Sequence, residues 1–197
     1  MPEEQEIADK NKAFWSWSSE LWEILKVLLI SVAIVLPIRY YIAQPFIVRG
    51  ASMEPNFENS EYLIIDEASY YFHDPKRGEV VVFRYPRDPK QFFIKRIIGL
   101  PEEKVEIRNG RVIISNLSYP EGFTLDEKYL PSGRLTHPDT TTSLSDSEYF
   151  VLGDNRDFSS DSRIWGVLDR KFIVGRTIFR VWPFDGFGIV PDYSFGF

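Results

Sequence analysis

From Pro45 onward, short apolar runs rich in valine, isoleucine, phenylalanine and tyrosine alternate with clusters of glycine, proline and aspartate. Strands of a packed sheet favour β-branched and aromatic residues and stop at turn-forming residues, so this spacing predicts an all-β domain. Asn109-Gly110 separates two alternating runs and predicts a hairpin, because both residue types tolerate positive φ. The runs that predict strands are FIV, YLIID, EVVVFRY, FFIKRIIG, KVEIRNGRVII, YFVLG and FIVGRTIFRVW.

The pattern changes between Ser115 and Ser147, where the chain is polar, rich in serine, threonine and proline, and has little periodicity. Such a stretch predicts an irregular insertion between two halves of one core. We therefore expect a β-barrel-type core formed by residues 44–104 and 149–197. A smaller β or irregular subdomain is expected to be inserted over residues 105–148.

An unbroken apolar run from Val27 to Ile38 precedes the β-region and is bracketed by Lys26 and Arg39. A membrane span needs about 20 mostly apolar residues, which this segment reaches if the two cations extend toward the membrane surfaces. We predict one transmembrane helix over residues 23–43, preceded by a segment of residues 1–22. Aromatic residues suited to a membrane interface flank the run: Trp15, Trp17, Trp22, Tyr40 and Tyr41.

A run of this length also fits a buried core helix or a cleavable secretory signal. The signal is disfavoured because the leader is long and acidic. In addition, Tyr41 lies two residues before the boundary at Ala43, where a cleavage site needs a small side chain. Lysines before the run and arginines after it give little positive-inside bias, so charge leaves the orientation open.

Composition narrows the classes of partner and cofactor. With 23 basic and 29 acidic residues the net charge is −6, and no basic stripe is visible, which argues against a nucleic-acid partner. The chain has no cysteine, so disulfides and thiol nucleophiles are excluded. Only two histidines, His73 and His137, are present, and we predict neither a metal nor another cofactor.

One candidate nucleophile lies in the segment GASMEP, which runs from Gly50 to Pro55. Gly50 permits a tight turn directly after the run PFIVR, and Pro55 stiffens the chain beyond the serine. Ser52 would then lie at the end of a strand with its backbone N–H free to bind an oxyanion. Taken alone, such a segment is more often an ordinary turn.

A serine nucleophile needs a base, and the strand FFIKRIIG offers Lys95. Strand alternation places Lys95 on the face of Phe93 and Ile97, whereas Arg96 is on the opposite face, so one of the two cations meets an apolar surface. Desolvation there would lower the pKa of a lysine toward the working range. The competing interpretation is an edge strand that lysine and arginine protect from aggregation.

A third segment, GDNRDFSSDSRIWG from Gly153 to Gly166, is polar although it lies between two apolar runs. Its aspartates, Asp154, Asp157 and Asp161, suggest a calcium loop, but their spacing departs from the EF-hand pattern and two arginines intervene. A network of aspartate–arginine pairs that stiffens a loop near a site fits better.

Together these segments resemble the sequence boxes of bacterial type I signal peptidases, the Ser-Lys serine proteases of the S26 family. The boxes are Ser-Met-x-Pro at Ser52–Pro55, Arg-Gly-Glu-Val-Val at Arg77–Val81, Lys-Arg-x-x-Gly-Leu-Pro at Lys95–Pro101, and Gly-Asp-Asn-Arg through Asp-Ser-Arg-x-Trp-Gly at Gly153–Gly166. Each box alone is weak, but four in order behind an apolar N-terminal segment are specific.

The resemblance implies a mainly β catalytic core of the kind shared with LexA-type proteins. It implies that Ser52 attacks the scissile carbonyl, that Lys95 is its general base and that Ser159 orients the lysine. The residues implied to hold the last box in place are Asp154, Arg156, Asp161 and Arg163. The residues expected to contact an extended substrate are Pro45, Phe46, Val48, Gly50, Met53, Phe92 and Ile94.

The sequence departs from the family pattern at two positions. Some members have a serine two residues before the nucleophile that assists the oxyanion hole, and here Gly50 leaves the Ser52 N–H without that side chain. Asn56 stands where threonine or serine is usual after the proline. Neither departure predicts an inactive enzyme.

By this resemblance the enzyme removes signal peptides from secretory precursors after small-x-small sites. Its partners would be those signal peptides and a lipid bilayer. It would be a single-pass protein of the cytoplasmic membrane, with residues 1–22 in the cytoplasm and the catalytic domain outside. Two alternatives are a self-cleaving LexA-type repressor, for which no DNA-binding helical domain is predicted, and an inactive membrane-tethered module that binds precursors.

Overall fold

The computed structural model describes residues 20–36, 43–191 and 193. The chain divides into two compact units, residues 1–42 and residues 43–197. Helix α1 (residues 20–36) belongs to the first unit. Both β-sheets belong to the second, which also contains the short helix α2 (Ser162–Trp165).

Within the described residues, twelve strands form where alternating β-branched and aromatic side chains can bury one face of each strand, largely as the apolar runs predict. They are β1 (Ala43–Ile47), β2 (Tyr62–Asp66), β3 (Val80–Tyr85), β4 (Asp88–Gly99), β5 (Lys104–Arg108), β6 (Arg111–Ser115), β7 (Phe123–Thr124), β8 (Thr140–Ser143), β9 (Glu148–Leu152), β10 (Leu168–Asp169), β11 (Ile173–Trp182) and β12 (Gly188–Ile189). Three-residue or four-residue 3-10 turns occur at Ala68–Tyr71, Arg170–Phe172 and Phe184–Gly186.

The larger sheet has the order β1-β2-β11-β3-β4-β9-β10, with β12 paired to β11. The five neighbouring strands β1, β2, β11, β3 and β4 form four pairs, and each pair is antiparallel. After four reversals of direction, β1 and β4 run in the same direction. Strand β9 pairs with β4 only from Arg96 to Gly99. The earlier part of β4 therefore keeps a free edge within the described residues, and so does β1.

The smaller sheet, β7-β6-β5-β8, is formed by residues 104–143, nearly all of which lie in the range 105–148 where an insertion is expected. Its central hairpin turns at Asn109 (φ 53°) and Gly110 (φ 76°), as predicted from their tolerance of positive φ. The polar stretch is less irregular than expected, because Thr140–Ser143 forms β8 against β5. The threonines there are β-branched and suit a strand although they are polar.

Buried apolar clusters hold the second unit together. One fills the space between the smaller sheet and β9 and includes Ile98 and Phe150. Another surrounds Phe83, Ile97 and Trp165. A further cluster, around Met53, lies beneath the turn that comes after β1. The latter two clusters lie on either side of the free edge of β4 and so fix the region where the candidate site lies.

Helix α1 carries large apolar side chains whose exposed fractions run from 45% at Val32 to 67% at Leu21 and Ile24. Within residues 20–36 and 43–191, no helix has both the length and the apolar character of a membrane span. The anchor predicted over residues 23–43 includes residues 37–42, which lie outside the described part, as do Trp15, Trp17, Tyr40 and Tyr41. The anchor therefore stays a prediction.

Candidate active site

The candidate nucleophile, Ser52, lies in a turn directly after β1. Gly50 adopts φ +88°, which a residue with a side chain rarely tolerates, and its N–H donates to Asn59 Oδ1 across 2.9 Å. Met53 is fully buried in the core below, and the N–H of Phe57 donates to the Met53 carbonyl across 3.0 Å. The turn is thus fixed from beneath, and Ser52 is held beside the free edge of β4.

Lys95 reaches this serine from β4. Its Nζ donates to Ser52 Oγ across 2.7 Å and to the carbonyl of Ile94 across 2.8 Å. Only 3% of the residue is exposed. As predicted from strand alternation, Lys95 shares its face with Phe93, whose ring centre is 5.5 Å from Nζ, and with Ile97 in the adjoining apolar cluster.

Burial disfavours the charged amine and lowers the pKa of Lys95 from its ordinary 10.5 to about 8. The negative charges of Asp161 and Asp154 oppose this lowering but do not outweigh the loss of hydration. An amine with a pKa near 8 is partly neutral at physiological pH. It can therefore accept a proton from the hydroxyl group with which it is in contact.

The polar segment Gly153–Gly166 is the third part of the site, beside the turn that carries Ser52 and the strand that carries Lys95. The backbone N–H of Asn155 donates to the Ser52 carbonyl across 3.0 Å, and its side-chain amide donates to the Ala51 carbonyl across 3.0 Å. These bonds join the segment to the main chain of the nucleophile. The position of Ser52 relative to β4 therefore depends on this segment as well as on the turn.

Asp154 is joined to the neighbour of the lysine, Arg96. The guanidinium donates twice to this carboxylate, across 2.9 Å from Nε and 2.6 Å from Nη2, and once to the Gly78 carbonyl across 2.8 Å. Asn56 Nδ2 donates to Asp154 Oδ2 and to the Tyr129 carbonyl, each across 2.8 Å. Asn56, the departure noted in the sequence, thus connects the nucleophile turn to the polar segment.

The remaining aspartate–arginine contacts differ from the simplest interpretation of the sequence. Asp161 does pair with Arg163, through Nε and Nη2 at 2.8 Å each, and also accepts from the N–H of Gly153. Arg156, however, pairs with Glu127 in the inserted region rather than with an aspartate of its own segment. Asp157 pairs with Arg134. The three aspartates considered for calcium are therefore each engaged by an arginine.

Ser159, expected to orient the lysine, is buried close to the nucleophile. A Cβ added at Gly153 would collide with both Ser159 Oγ and the Ser52 carbonyl, so all three residues meet at one point. Within the described residues, Ser159 Oγ has no hydrogen-bond partner. A contact between Ser159 and Lys95 stays a prediction.

A cleft of about 740 Å³ runs along the two free strand edges and ends at the serine and lysine. Five of the predicted substrate-contacting residues line it: Pro45, Phe46, Gly50, Phe92 and Ile94. Val48 and Met53 do not, because their side chains point into the core beneath the turn. The other lining residues, besides Ser52 and Lys95, are Ile47, Arg49, Ala51, Lys90, Gln91, Phe93, Phe158 and Ser160.

Sequence patterns carried a signal for some of the missed lining residues. Lys90 and Gln91 belong to the same strand edge as Phe92, so extending the predicted strand toward Asp88 would have found them. Phe158 is 77% exposed beside buried polar residues, and an aromatic residue in such a polar stretch is itself a signal.

A buried lysine in contact with a serine, at the end of a cleft with strand edges on both sides, is the arrangement that a serine hydrolase with a lysine base requires. The family described as signal peptidase, peptidase S26, matches residues 21–182. A probable signal peptidase I-1 of Synechocystis sp. is 33% identical, with 88% of this chain and 91% of that protein covered. A signal peptidase I of Leptolyngbya laminosa is 37% identical, with 95% and 90% covered.

A signal peptidase I P of Bacillus subtilis subsp. natto is 32% identical, with 85% of this chain and 92% of that protein covered. The crystal structure of a signal peptidase I from Enterococcus faecalis V583 is 30% identical, with a TM-score of 0.44 and coverage of 53% of this chain and 97% of that one. The chain belongs to the peptidase S26 family and is a bacterial type I signal peptidase, and hence a serine endopeptidase.

Proposed function

We propose that this enzyme uses Ser52 as nucleophile and Lys95 as general base to cleave secretory precursors after small-x-small sites, while an N-terminal helix tethers it to a membrane. The observation that carries the proposal is the 2.7 Å contact between Lys95 Nζ and Ser52 Oγ. Since the amine is buried and its pKa is lowered to about 8, it can be neutral when it meets the hydroxyl.

In the first step the neutral amine accepts the Ser52 proton while Oγ bonds to the scissile carbonyl carbon. The backbone N–H of Ser52 would donate to the developing oxyanion. The peptide C–N bond then breaks, Lys95 passes its proton to the leaving amine, and an acyl-enzyme remains. In the second step Lys95 takes a proton from water, whose oxygen attacks the ester, and returns a proton to Ser52 Oγ as the acid leaves.

Substrate binding would follow from the two free strand edges on either side of the cleft. An extended peptide can donate and accept main-chain hydrogen bonds along such edges, and its alternate side chains point to the same side. Two small residues separated by one other residue would then both face the same wall. This two-residue period would explain why the enzyme needs small residues at two positions separated by one other residue.

The membrane tether is proposed from α1 and the apolar run that it contains. Its large apolar side chains are about half exposed or more, which is unfavourable in water and favourable among lipid chains. We expect the full-length protein to stay in the membrane fraction after extraction with alkaline carbonate. Protease added to intact spheroplasts should digest residues 43–197 if this part lies outside the cytoplasm. Release by carbonate would contradict the tether.

The dyad is tested with the full chain in detergent and a precursor that carries an Ala-x-Ala site. Ser52→Ala and Lys95→Met should each lower kcat/KM by roughly 10³-fold or more, because neither the nucleophile nor its base can be replaced by water. Lys104→Met, an exposed lysine on the smaller sheet, is the matched control and should retain wild-type activity.

The outcomes separate the possible functions. Cleavage by Ser52→Ala or Lys95→Met at the wild-type rate would rule out the dyad. A wild-type protein that binds the precursor but leaves it intact would instead be the inactive precursor-binding module. Analysis of the product's N-terminus by mass spectrometry identifies the bond that is cut.

A further inference from the structure

Phe158 is an exposed aromatic residue in a segment that is mostly polar and only partly buried. Of this residue, 77% is exposed, as is much of the preceding Asp157, whereas Asp154, Arg156 and Ser159 are buried. Exposure of a phenylalanine ring to water is unfavourable, and the ring adds little to the stability of a segment held by ion pairs. The fold does not require the ring at this position, which leaves it free to bind a ligand.

The main chain holds Phe158 close to the reacting atoms. Its N–H donates to the Asn155 carbonyl across 3.1 Å, and the N–H of Asn155 donates to the Ser52 carbonyl across 3.0 Å. Two successive hydrogen bonds thus separate the ring-bearing residue from the nucleophile. Phe158 and Ser160 line the same cleft as Ser52 and Lys95.

Strand directions show which end of the cleft Phe158 occupies. Strands β1 and β4 run in the same direction, and both lead toward the catalytic pair, from Pro45 to Ser52 and from Lys90 to Lys95. Both free strand edges therefore lie on the same side of the catalytic pair, the side from which β1 and β4 approach it. Phe158 belongs to the segment that closes the site at the pair itself.

We infer that Phe158 forms a binding subsite for the first residues after the scissile bond, and that this subsite favours apolar side chains. The inference rests on the proposed function, in which the small residues before the bond lie between the two strand edges. A peptide that continues past Ser52 in an extended form must then leave the cleft across the segment that carries Phe158. An exposed ring there can be covered by an apolar side chain of the departing product.

The test uses two fluorogenic peptides that are identical through an Ala-x-Ala site and differ only in the next two residues, Leu-Phe in one and Ser-Ser in the other. The measured quantity is the ratio of their kcat/KM values for the full-length enzyme in detergent. We expect the wild type to prefer the Leu-Phe peptide by about fivefold, chiefly through KM, as burial of part of an aromatic surface allows.

Phe158→Ala should bring this ratio close to one, while Phe158→Leu, which keeps an apolar surface, should retain most of it. Ile164→Ala is the matched control, because Ile164 is 64% exposed in the same polar segment but does not line the cleft. Its ratio should equal that of the wild type.

A wild-type ratio of one, or an unchanged ratio in Phe158→Ala, would overturn the inference. An equal fall in kcat for both peptides in Phe158→Ala would also overturn it, since that would mean the ring only supports the loop. Failure of the wild type to cut either peptide would count against the proposed function itself, which is a different result from normal cleavage of both without selectivity.

Discussion

Lys95 and Arg96 are adjacent basic residues on β4, and both are almost wholly buried. They lie on opposite faces of the strand, and only Arg96 has a carboxylate partner within hydrogen-bond distance among the described residues. Arg96, 1% exposed, meets Asp154 in a two-bond ion pair and lies 4.1 Å from the centre of the Tyr129 ring. Lys95, 3% exposed, meets an apolar cluster, a hydroxyl group and a carbonyl, but no carboxylate within hydrogen-bond distance among the described residues.

The difference lies in what each face supplies to a buried charge. A guanidinium with a matched carboxylate keeps its charge and fixes structure. An amine without such a partner is driven toward its neutral form, which is the form that can accept a proton. One strand thus combines a structural ion pair with a candidate general base at consecutive positions.

The largest expected effect on stability comes from breaking the ion pair. Arg96→Met leaves the Asp154 charge buried and unpaired, so the free energy of unfolding should fall by about 3–5 kcal/mol. Urea unfolding followed by tryptophan fluorescence measures it. Lys128→Met, which breaks the exposed pair with Asp126, is the control and should change stability by less than about 1 kcal/mol. If Arg96→Met lowered the free energy of unfolding no more than the control does, the Arg96–Asp154 ion pair would not be the structural contact that we describe.

The unpaired amine should control how activity depends on pH. Below the pKa of about 8 most Lys95 is protonated and cannot act as a base. We therefore expect kcat/KM to rise roughly tenfold per pH unit as pH approaches 8 from below, and to level off above it. A profile that stays flat from pH 6 to 9, with substrate and enzyme both stable, would argue against a lysine base.

The buried amine should also cost the folded state stability. Because the pKa of Lys95 is lowered on folding, the unfolded chain binds more protons between pH 8 and 10.5, and the penalty is full below pH 8. Lys95→Met removes a penalty of roughly 3 kcal/mol but also two hydrogen bonds worth about 1 kcal/mol each, so a net gain of about 1 kcal/mol is expected at pH 7. The gain should shrink as pH rises past 8. Destabilisation at pH 7 would show that Lys95 is better accommodated than its burial implies.

The smallest expected effect comes from giving Lys95 a carboxylate partner like the one that Arg96 has. Phe93→Glu places a carboxylate beside Lys95, as Asp154 stands beside Arg96, and should raise the pKa of the amine. The rising limb of the pH–activity profile should then move up by about one unit. Phe93→Gln has the same size without the charge and should leave the limb in place. If the rising limb of the pH–activity profile lay at the same pH in both variants, burial alone would set the pKa of Lys95.

Much of the fold follows from local patterns in the sequence. The hairpin at Asn109 and Gly110 and the long strands β3, β4 and β11 form where alternating or buried apolar runs predict them. Strand β8 escapes such a prediction because its four residues, Thr140–Ser143, are polar, and their pairing with β5 depends on a partner far away in the chain.

The candidate site is predictable where chemistry and spacing coincide, as at Ser52 and Lys95. The partner of Arg96 is not predictable, because Asp154 is 58 residues away and only the folded sheet brings them together. For the same reason no local pattern indicates that Arg156 meets Glu127. Val48 and Met53, both expected to contact substrate, have their side chains in the core beneath the turn, since adjacency to the nucleophile does not determine which way a side chain points.

The free edges of β1 and β4 also bear on how many different substrates one enzyme of this kind can serve. Main-chain amides and carbonyls are the same in every peptide, so a cleft that binds them cannot distinguish one sequence from another. Discrimination would fall to the few side chains that touch a wall. A single enzyme could then process a large set of unrelated proteins that share only a short, slender segment.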